Sequence, residues 1–373
     1  WRKHLAREIK KNISIPVIAV NTIKKPEDAE RFLEEEVCDF VGLGRALLAD
    51  PDFVNKARED ETKDIRPCIG CLHCIESLMN GHTLRCAVNP KLGYEKDYRD
   101  LEKVSSEQKV LVVGGGPAGL QASIILAQRG FETILVEAKP YLGGSVTIGS
   151  KPPHKDLLST LVENLEYQAR QEGVDIRLNT KADMDLIDQI NPYAVYLALG
   201  GKNISLSLSE NRDKIMDAIE VLEEEKQIRD KKIFVIGSGM TGLETAEYLA
   251  EQGNQVTVVE MAKEIGSGIH KALLFDITAR LKAMGVEFIS YHQLKDFKDG
   301  KIILLDRFSN DLRLEEADYC VLSIGVRDQR GDKLVEEVKL KYENTFNIGD
   351  SNRPGRIYEA MVAGLDSTYN LKG

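Results

Sequence analysis

One pattern occurs twice in this chain and limits the folds open to it more than any other feature. Residues 109–138 and residues 231–261 each read as an apolar strand, a glycine-rich turn, a helix, and a second apolar strand that ends in an acidic residue. The strands are continuously apolar rather than alternating, which is typical of parallel strands buried on both faces. The repeat therefore predicts an α/β protein with two dinucleotide-type βαβ units.

The first unit carries the glycine spacing GxGxxG directly after its strand, at Gly114, Gly116 and Gly119. Glycines there permit a tight turn and let the backbone approach a pyrophosphate, whose charge is favoured at a helix N-terminus. Glu137 ends the next strand, where an acid can accept hydrogen bonds from a ribose diol. We therefore expect this unit to bind the ADP moiety of a dinucleotide. A glycine-rich turn without a ligand is the alternative.

The second unit matches the same pattern with Gly237, Gly239, Gly242 and the strand-ending Glu260. An acid at this place prefers a free 2′-hydroxyl and repels a 2′-phosphate, and no Arg follows it closely. The sequence thus favours NADH over NADPH. Lys263 is the nearby residue that would favour the opposite preference.

A cluster of cysteines separates the first 60 residues from the two units. Four of the six cysteines follow the spacing C-x2-C-x2-C-x11-C, while Cys38 and Cys320 stand alone in apolar runs. Such a cluster in a reducing compartment indicates a metal site rather than disulfides. Three thiolates in one loop with a more distant fourth favour a 4Fe-4S cluster, and a structural zinc site is the alternative. The four predicted ligands are Cys68, Cys71, Cys74 and Cys86.

The first 60 residues show a βα rhythm, and Gly44 and Arg45 stand between its second strand and the next helix. In a (β/α)8 barrel the loops after strands 7 and 8 form a phosphate site. The Gly44 amide and the Arg45 guanidinium suit that role. An arginine that is simply paired at a helix start is the alternative.

Composition and charge exclude several classes of function. Fifty Lys and Arg against 60 Asp and Glu give a formal net charge of −10 with no long basic block, so nucleic acid is not an expected partner. No stretch approaches the ~20 apolar residues of a spanning helix, and the first residues lack the apolar region of a secretory signal. We therefore expect a cytoplasmic protein without a membrane partner.

The order of these segments resembles a known family. Residues 15–57 look like the last two βα units of the old yellow enzyme barrel, and CIGCLHC with its later cysteine, GGGPAGL and GSGMTGLETAEYL follow in turn. The whole chain resembles the C-terminal part of the 2,4-dienoyl-CoA reductase and trimethylamine dehydrogenase family. The resemblance implies two Rossmann-type dinucleotide-binding domains of the FAD/NAD(P) kind, preceded by the last two βα units of a TIM barrel and a cysteine-rich loop.

The resemblance also implies domain boundaries. We expect a remnant of an FMN-binding barrel at 1–60, an iron–sulfur loop and linker at 61–108, an FAD- or ADP-binding domain at 109–200 plus 326–373, and an NADH-binding domain at 201–325. The NADH-binding domain would then be an insertion in a discontinuous FAD domain.

In that family electrons pass from NADH to FAD, to the 4Fe-4S cluster, to FMN, and on to an activated C=C bond of a 2-enoate or dienoyl-CoA. The resemblance places no catalytic residue in this chain, because the substrate-protonating residues belong to barrel units outside it. It assigns the FMN phosphate to Gly44 and Arg45, the cluster to the four cysteines, FAD to Gly114, Gly116, Gly119, Glu137, Gly144 and Asp350, and NADH to Gly237, Gly239, Gly242 and Glu260.

Two alternatives to this function remain open. The cysteine spacing is closer to the trimethylamine dehydrogenase branch, in which the first nucleotide site holds redox-inert ADP, so an amine dehydrogenase is the first alternative. A non-catalytic nucleotide-binding remnant is the second. The expected partner of the intact protein is a small-molecule enoate or enoyl-CoA, and a homo-oligomer is left open.

Overall fold

The computed structural model describes residues 3–20, 22–104, 108–369 and 371–372. Trp1 of the first predicted helix and residues 105–107 of the predicted linker lie outside this part of the chain. The N-terminal segment consists of α1 (Lys3–Asn12), β1 (Ile18–Val20), α2 (Pro26–Glu34), β2 (Phe40–Gly42), α3 (Arg45–Ala49) and α4 (Phe53–Arg58), and the cysteine-rich segment contains α5 (His73–Met79).

Strands β1 and β2 form a two-stranded parallel sheet. Ala6 of α1 and Phe32 of α2 pack on the apolar cluster at one face of this sheet. At the other face Ile18, Val20 and Phe40 expose 62%, 64% and 58% of their surface. The small sheet is therefore covered on one side only.

The first nucleotide unit and the chain terminus build one five-stranded parallel sheet in the order β17-β6-β3-β4-β5. Along the central strand β3, Val110 and Val112 pack on one side, and Leu111 and Val113 pack on the other. The helices and strands of this part of the chain are β3 (Lys109–Val113), α6 (Pro117–Gln128), β4 (Glu132–Val136), α7 (Ser145–Gly149), α8 (Asp156–Gln171), β5 (Asp175–Arg177), α9 (Met184–Ile190), β6 (Ala194–Leu197) and β7 (Lys202–Asn203).

The second unit builds another five-stranded parallel sheet, in the order β11-β10-β9-β15-β8. Ile233 and Val235 of β9 face its helices, whereas Phe234 and Ile236 face an antiparallel sheet of β12, β13 and β14. The elements are β8 (Ile215–Asp217), α10 (Ala218–Glu223), β9 (Lys232–Ile236), α11 (Met240–Glu251), β10 (Gln255–Val259), α12 (Lys271–Ala283), β11 (Glu287–Ile289), β12 (His292–Lys298), β13 (Lys301–Asp306), β14 (Leu312–Glu316) and β15 (Tyr319–Leu322).

After β15 the chain returns to the first sheet through β16 (Val326–Arg327), α13 (Lys333–Lys341), β17 (Thr345–Asn347) and α14 (Ile357–Tyr369). Strand β17 pairs with β6, and a Cβ on Gly364 of α14 would lie 2.5 Å from the carbonyl oxygen of Ala118 on α6. Helix α14 therefore packs closely on α6, and residues from both ends of the nucleotide-binding region share one core.

A short antiparallel ribbon of β7 and β16 joins the two sheets where the chain leaves the first and returns to it. Every strand of the second parallel sheet lies between Ile215 and Leu322, within the predicted insertion. The division into separate domains at the predicted boundaries stays a prediction. The predicted fold class is confirmed: α/β, with two Rossmann-type sheets after two βα units and a cysteine-rich segment.

None of the helices in the described part of the chain is both long enough and apolar enough to cross a bilayer.

Candidate nucleotide and cluster sites

The first glycine loop connects β3 to α6, and two of its glycines are required by the fold itself. Gly114 has φ +105°, and a Cβ there would lie 2.3 Å from the carbonyl oxygen of Ala198. A Cβ on Gly119 would lie 1.9 Å from the carbonyl oxygen of Gly114. These two positions therefore exclude any side chain, with or without a ligand.

Gly116 differs from its two neighbours in the motif. It precedes α6 with φ −74° and ψ 179°, which any residue can adopt, and no atom lies within 4 Å of the place of its missing Cβ. A Cβ on Gly144 would lie 3.4 Å from the Cα of Gly116, so Gly144 borders the same space. Space kept open at a helix N-terminus fits the approach of a pyrophosphate.

Glu137 lies behind this loop. Its Oε2 accepts a hydrogen bond from the Gly115 amide at 2.7 Å, and its Oε1 accepts one from the Lys139 amide at 2.9 Å. The carboxylate is thus held at the loop, with lone pairs left for ribose hydroxyls.

Asp350 comes to the same end of the sheet from the far end of the chain. A Cβ on the preceding Gly349 would lie 2.8 Å from the Cβ of Ala118, in the first turn of α6. Asp350 Oδ1 accepts a hydrogen bond from the Gly355 amide at 3.0 Å, and burial raises the pKa of its carboxyl group. The first site therefore combines the glycine loop, Glu137 and Asp350.

The second glycine loop repeats the geometry of the first. Gly237 has φ +105°, with a Cβ position 2.2 Å from the carbonyl oxygen of Ser323, and a Cβ on Gly242 would lie 2.1 Å from the carbonyl oxygen of Gly237. Gly239, like Gly116, has φ −62° and no atom within 4 Å of its Cβ position. Each loop therefore contains one position, Gly116 or Gly239, at which neither the backbone conformation nor a contact within the protein requires glycine.

Glu260 lies behind the second loop. Its Oε1 accepts from the Ala262 amide at 2.7 Å, and its Oε2 accepts from the amide of Ser238 at 2.9 Å and from its hydroxyl at 2.6 Å. Burial acts to raise the pKa of Glu260, but these hydrogen bonds outweigh it and hold the pKa below its usual range. The side chain is therefore an anion at neutral pH.

The structure brings an arginine to this site that the local sequence does not reveal. Arg307, in the turn after β13, donates from Nη1 to the carbonyl oxygen of Met261 at 3.0 Å, and Met261 directly follows Glu260. Lys263, the cation named from the sequence, is exposed. A second cation thus lies beside the residues that would meet an adenosine ribose, and no local signal could have identified it.

The four predicted cluster ligands line one small cavity, together with Arg45 and apolar residues of the same segment. Burial raises the pKa of Cys71 and Cys74, and it raises that of Cys86 to about 11. Thiols in such a place ionise only beside positive charge, as bound iron would supply.

The arrangement bears on the choice between a cluster and a zinc ion. Thiols spread around one cavity fit a cubane, whereas zinc requires sulfurs about 2.3 Å from a single point. Across residues 3–20, 22–104, 108–369 and 371–372, no three His, Cys, Asp or Glu side chains are placed to hold one metal ion. Four thiols around one cavity match the donor set of a 4Fe-4S cluster, and the choice between a cluster and a zinc ion stays a prediction.

Two cations accompany the cysteines. Arg45 begins α3 beside Gly44, whose Cβ position is open, and its side chain lines the cysteine cavity. Lys24 is half-buried, and its Nζ lies 3.3 Å from the place of a Cβ on Gly70. Burial lowers the pKa of Lys24, and the nearby Cys68 opposes this change. The role of Gly44 and Arg45 at an FMN phosphate stays a prediction. The sequence analysis did not identify Lys24. The local signal that could have pointed to it is the pair of basic residues before Pro26.

Comparison with known proteins decides the family. Residues 108–354 match the family model described as pyridine nucleotide-disulphide oxidoreductase. The chain belongs to this family. Residues 2–64 match a second model, that of the NADH:flavin oxidoreductase / NADH oxidase family.

Curated relatives align along nearly the whole chain. An NADH oxidase of Thermoanaerobacter brockii is 34% identical, over 100% of this chain and 58% of that protein. A cinnamate reductase of Clostridium sporogenes is 34% identical, over 97% and 54%. A solved 2-naphthoyl-CoA reductase in complex with 2-naphthoyl-CoA matches with a TM-score of 0.94 and 26% identity, over 100% of this chain and 56% of that one. The chain thus spans little more than half the length of these relatives.

These matches confirm the predicted resemblance to the 2,4-dienoyl-CoA reductase family. Flavin and a pyridine nucleotide are the cofactors that the two family models support.

Proposed function

We propose that this chain is the electron-input part of an NADH-dependent flavin and iron–sulfur oxidoreductase that reduces an activated C=C bond in the intact protein. The substrate class is a 2-enoate or dienoyl-CoA. The similarity to a cinnamate reductase and to a 2-naphthoyl-CoA reductase supports this class. When bound, FAD would accept a hydride from NADH and deliver single electrons to a 4Fe-4S cluster and then to FMN.

One observation carries the proposal. Gly116 and Gly239 each open a helix in an ordinary conformation with empty space where a side chain would lie, and an acid stands behind each loop. Two nucleotide sites in one chain are what a transfer between a nicotinamide and a flavin requires. Gly116, Glu137 and Asp350 would hold FAD, and Gly239 and Glu260 would hold NADH.

The cysteine cavity supplies the next part of the proposal. Cys68, Cys71, Cys74 and Cys86 would hold the cluster, and Arg45 lies at the same cavity. Arg45 also begins the helix beside Gly44, and these two residues would hold an FMN phosphate. The residues of this chain would therefore hold and position the groups, and the chemistry belongs to the groups themselves.

The test is the visible spectrum of the chain purified without oxygen. We expect the paired bands of an oxidised flavin, their bleaching by NADH, and iron with acid-labile sulfide in equal amounts. Extraction of ADP without flavin would favour the amine dehydrogenase alternative. A colourless protein without nucleotide would favour a non-catalytic remnant, and stoichiometric zinc without sulfide would contradict the cluster.

A further inference from the structure

The two nucleotide units hold their acidic residues in the same way. In each unit one carboxylate oxygen accepts from the amide of the middle loop residue, at 2.7 Å from Gly115 to Glu137 and at 2.9 Å from Ser238 to Glu260. In each unit the other oxygen accepts from an amide two residues beyond the acid. Backbone amides therefore hold both acids in the same arrangement.

The units differ at the middle loop residue. A Cβ on Gly115 would lie 2.4 Å from Cδ2 of Leu142, so a side chain there would require Leu142 to shift. In the second unit Ser238 occupies this position and is only 1% exposed. Its hydroxyl donates to Glu260 Oε2 at 2.6 Å and accepts from the Gly266 amide at 2.9 Å.

We propose that Ser238 is a positioning residue that makes the second nucleotide site select NADH over NADPH. The inference rests on the proposed function, because it takes residues 231–261 as the NADH site. The hydroxyl connects the glycine loop, Glu260 and the loop that follows β10, because Gly266 belongs to that loop. No residue of the first unit makes this connection through a side chain at the same place.

The connection affects selectivity because it restricts Glu260. The Ser238 hydroxyl adds a third hydrogen bond to a carboxylate that two backbone amides already hold. With this bond Glu260 turns away less readily when a 2′-phosphate approaches, so the like-charge cost is greater. The same fixed carboxylate is ready to accept a hydrogen bond from a ribose hydroxyl without losing rotamer freedom. Freeing Glu260 should therefore weaken NADH binding and relieve NADPH at once.

The experiment compares Ser238→Ala with the native chain by calorimetric titration with NAD⁺ and with NADP⁺, which bind without reducing the flavin. We expect the Kd for NAD⁺ to rise about fivefold, as for one lost hydrogen bond, and the Kd for NADP⁺ to stay the same or fall. The ratio of the two constants is the deciding quantity, because a general loosening of the domain would raise both.

Thr245→Val is the matched control. Thr245 is fully buried in α11 of the same unit, and its hydroxyl donates only to the Thr241 carbonyl oxygen, at 2.7 Å. This variant should leave the ratio unchanged, and thermal unfolding of both variants checks that the unit is folded. An unchanged ratio in Ser238→Ala would overturn the inference. Failure of the native chain to bind either nucleotide would instead overturn the proposed function.

Discussion

At the scale of single residues, the glycines of each motif have two separate tasks. Gly114 and Gly119 of the first loop are required because the backbone of neighbouring elements occupies the space of a side chain. Gly116 is free of both constraints, and the proposed pyrophosphate would account for its small size. This distinction separates folding from binding and can be tested by substitution.

Gly116→Val is expected to fold normally and to lose flavin, because the new side chain occupies the approach of the pyrophosphate. The measurements are the flavin-to-protein absorbance ratio and the melting temperature. Gly119→Val is the contrasting variant, and it should not fold, since its Cβ would lie 1.9 Å from the Gly114 carbonyl oxygen. Full flavin content in Gly116→Val would be incompatible with the assigned site.

The expected preference for NADH depends on Glu260 and on the cations near it. Glu260 should disfavour a 2′-phosphate by roughly 2 kcal/mol, whereas Arg307 at the Met261 carbonyl oxygen should favour it. We expect Glu260→Ala to narrow the gap between NADH and NADPH and Arg307→Ala to widen it, as measured by the rate of flavin reduction. Equal or tighter binding of NADPH by the native chain would show that Arg307 dominates.

At the scale of elements, ion pairs join the segment before α8 to the second nucleotide unit. Lys151 pairs with Glu225, whose side chains are 37% and 56% exposed. Lys155, at the N-terminus of α8, pairs with Glu244 of α11, which is only 8% exposed. Burial raises the pKa of Glu244, and Lys155 opposes this effect. Only the second pair should contribute measurably to stability, because exposed pairs are screened.

Lys155→Met is expected to destabilise the protein by about 3 kcal/mol, since it leaves a buried carboxylate unpaired. Burial raises the pKa of Glu244 and Lys155 opposes this, so the variant should retain the proton on folded Glu244 to higher pH than the native chain does. Its loss of stability relative to the native chain should therefore grow as pH rises above the usual pKa of a carboxyl group. Thermal unfolding across this pH range measures both effects. Lys151→Met is the control and should change stability by less than about 1 kcal/mol. Equal effects of the two substitutions would argue against this account.

At the scale of the whole molecule, the cysteine-rich segment belongs to the core of the first nucleotide unit. Ile69, next to Cys68, and Val88, two residues after Cys86, are buried in the same apolar cluster as Val110 and Val112 of β3. Glu260 lies instead directly after β10, in the second unit. Loss of the proposed cluster should therefore leave the proposed NADH site intact.

Cys86→Ala is expected to abolish bound iron and acid-labile sulfide while the flavin is still bleached by NADH. Less NADH should be needed to reduce the sample fully, because fewer electrons can be stored. Cys38→Ala is the matched control, since Cys38 is buried in the N-terminal apolar cluster with Val17 and Ala19. Full iron content in Cys86→Ala would exclude this residue as a ligand.

Much of the fold and part of the candidate site follow from local patterns. Continuous apolar runs predicted the buried parallel strands, and the glycine spacing with a strand-ending acid located both nucleotide loops. The cysteine spacing predicted four ligands, and these residues line one cavity. Each of these features is encoded within about 30 neighbouring residues, where backbone sterics and hydrophobic burial act directly.

Long-range packing decided the rest. Sequence reasoning missed Arg307, which donates a hydrogen bond to the carbonyl oxygen of Met261. It also missed Lys24 beside the cysteine loop and the buried ion pair of Lys155 with Glu244. It also gave no reason to choose Ser238, whose importance depends on meeting Gly266 across a loop. The sequence by itself therefore determined which backbone units form and which residue types their loops carry. Only the tertiary structure decided which distant charges and hydroxyls meet there, because such contacts depend on how the sheets and loops pack and not on local propensity.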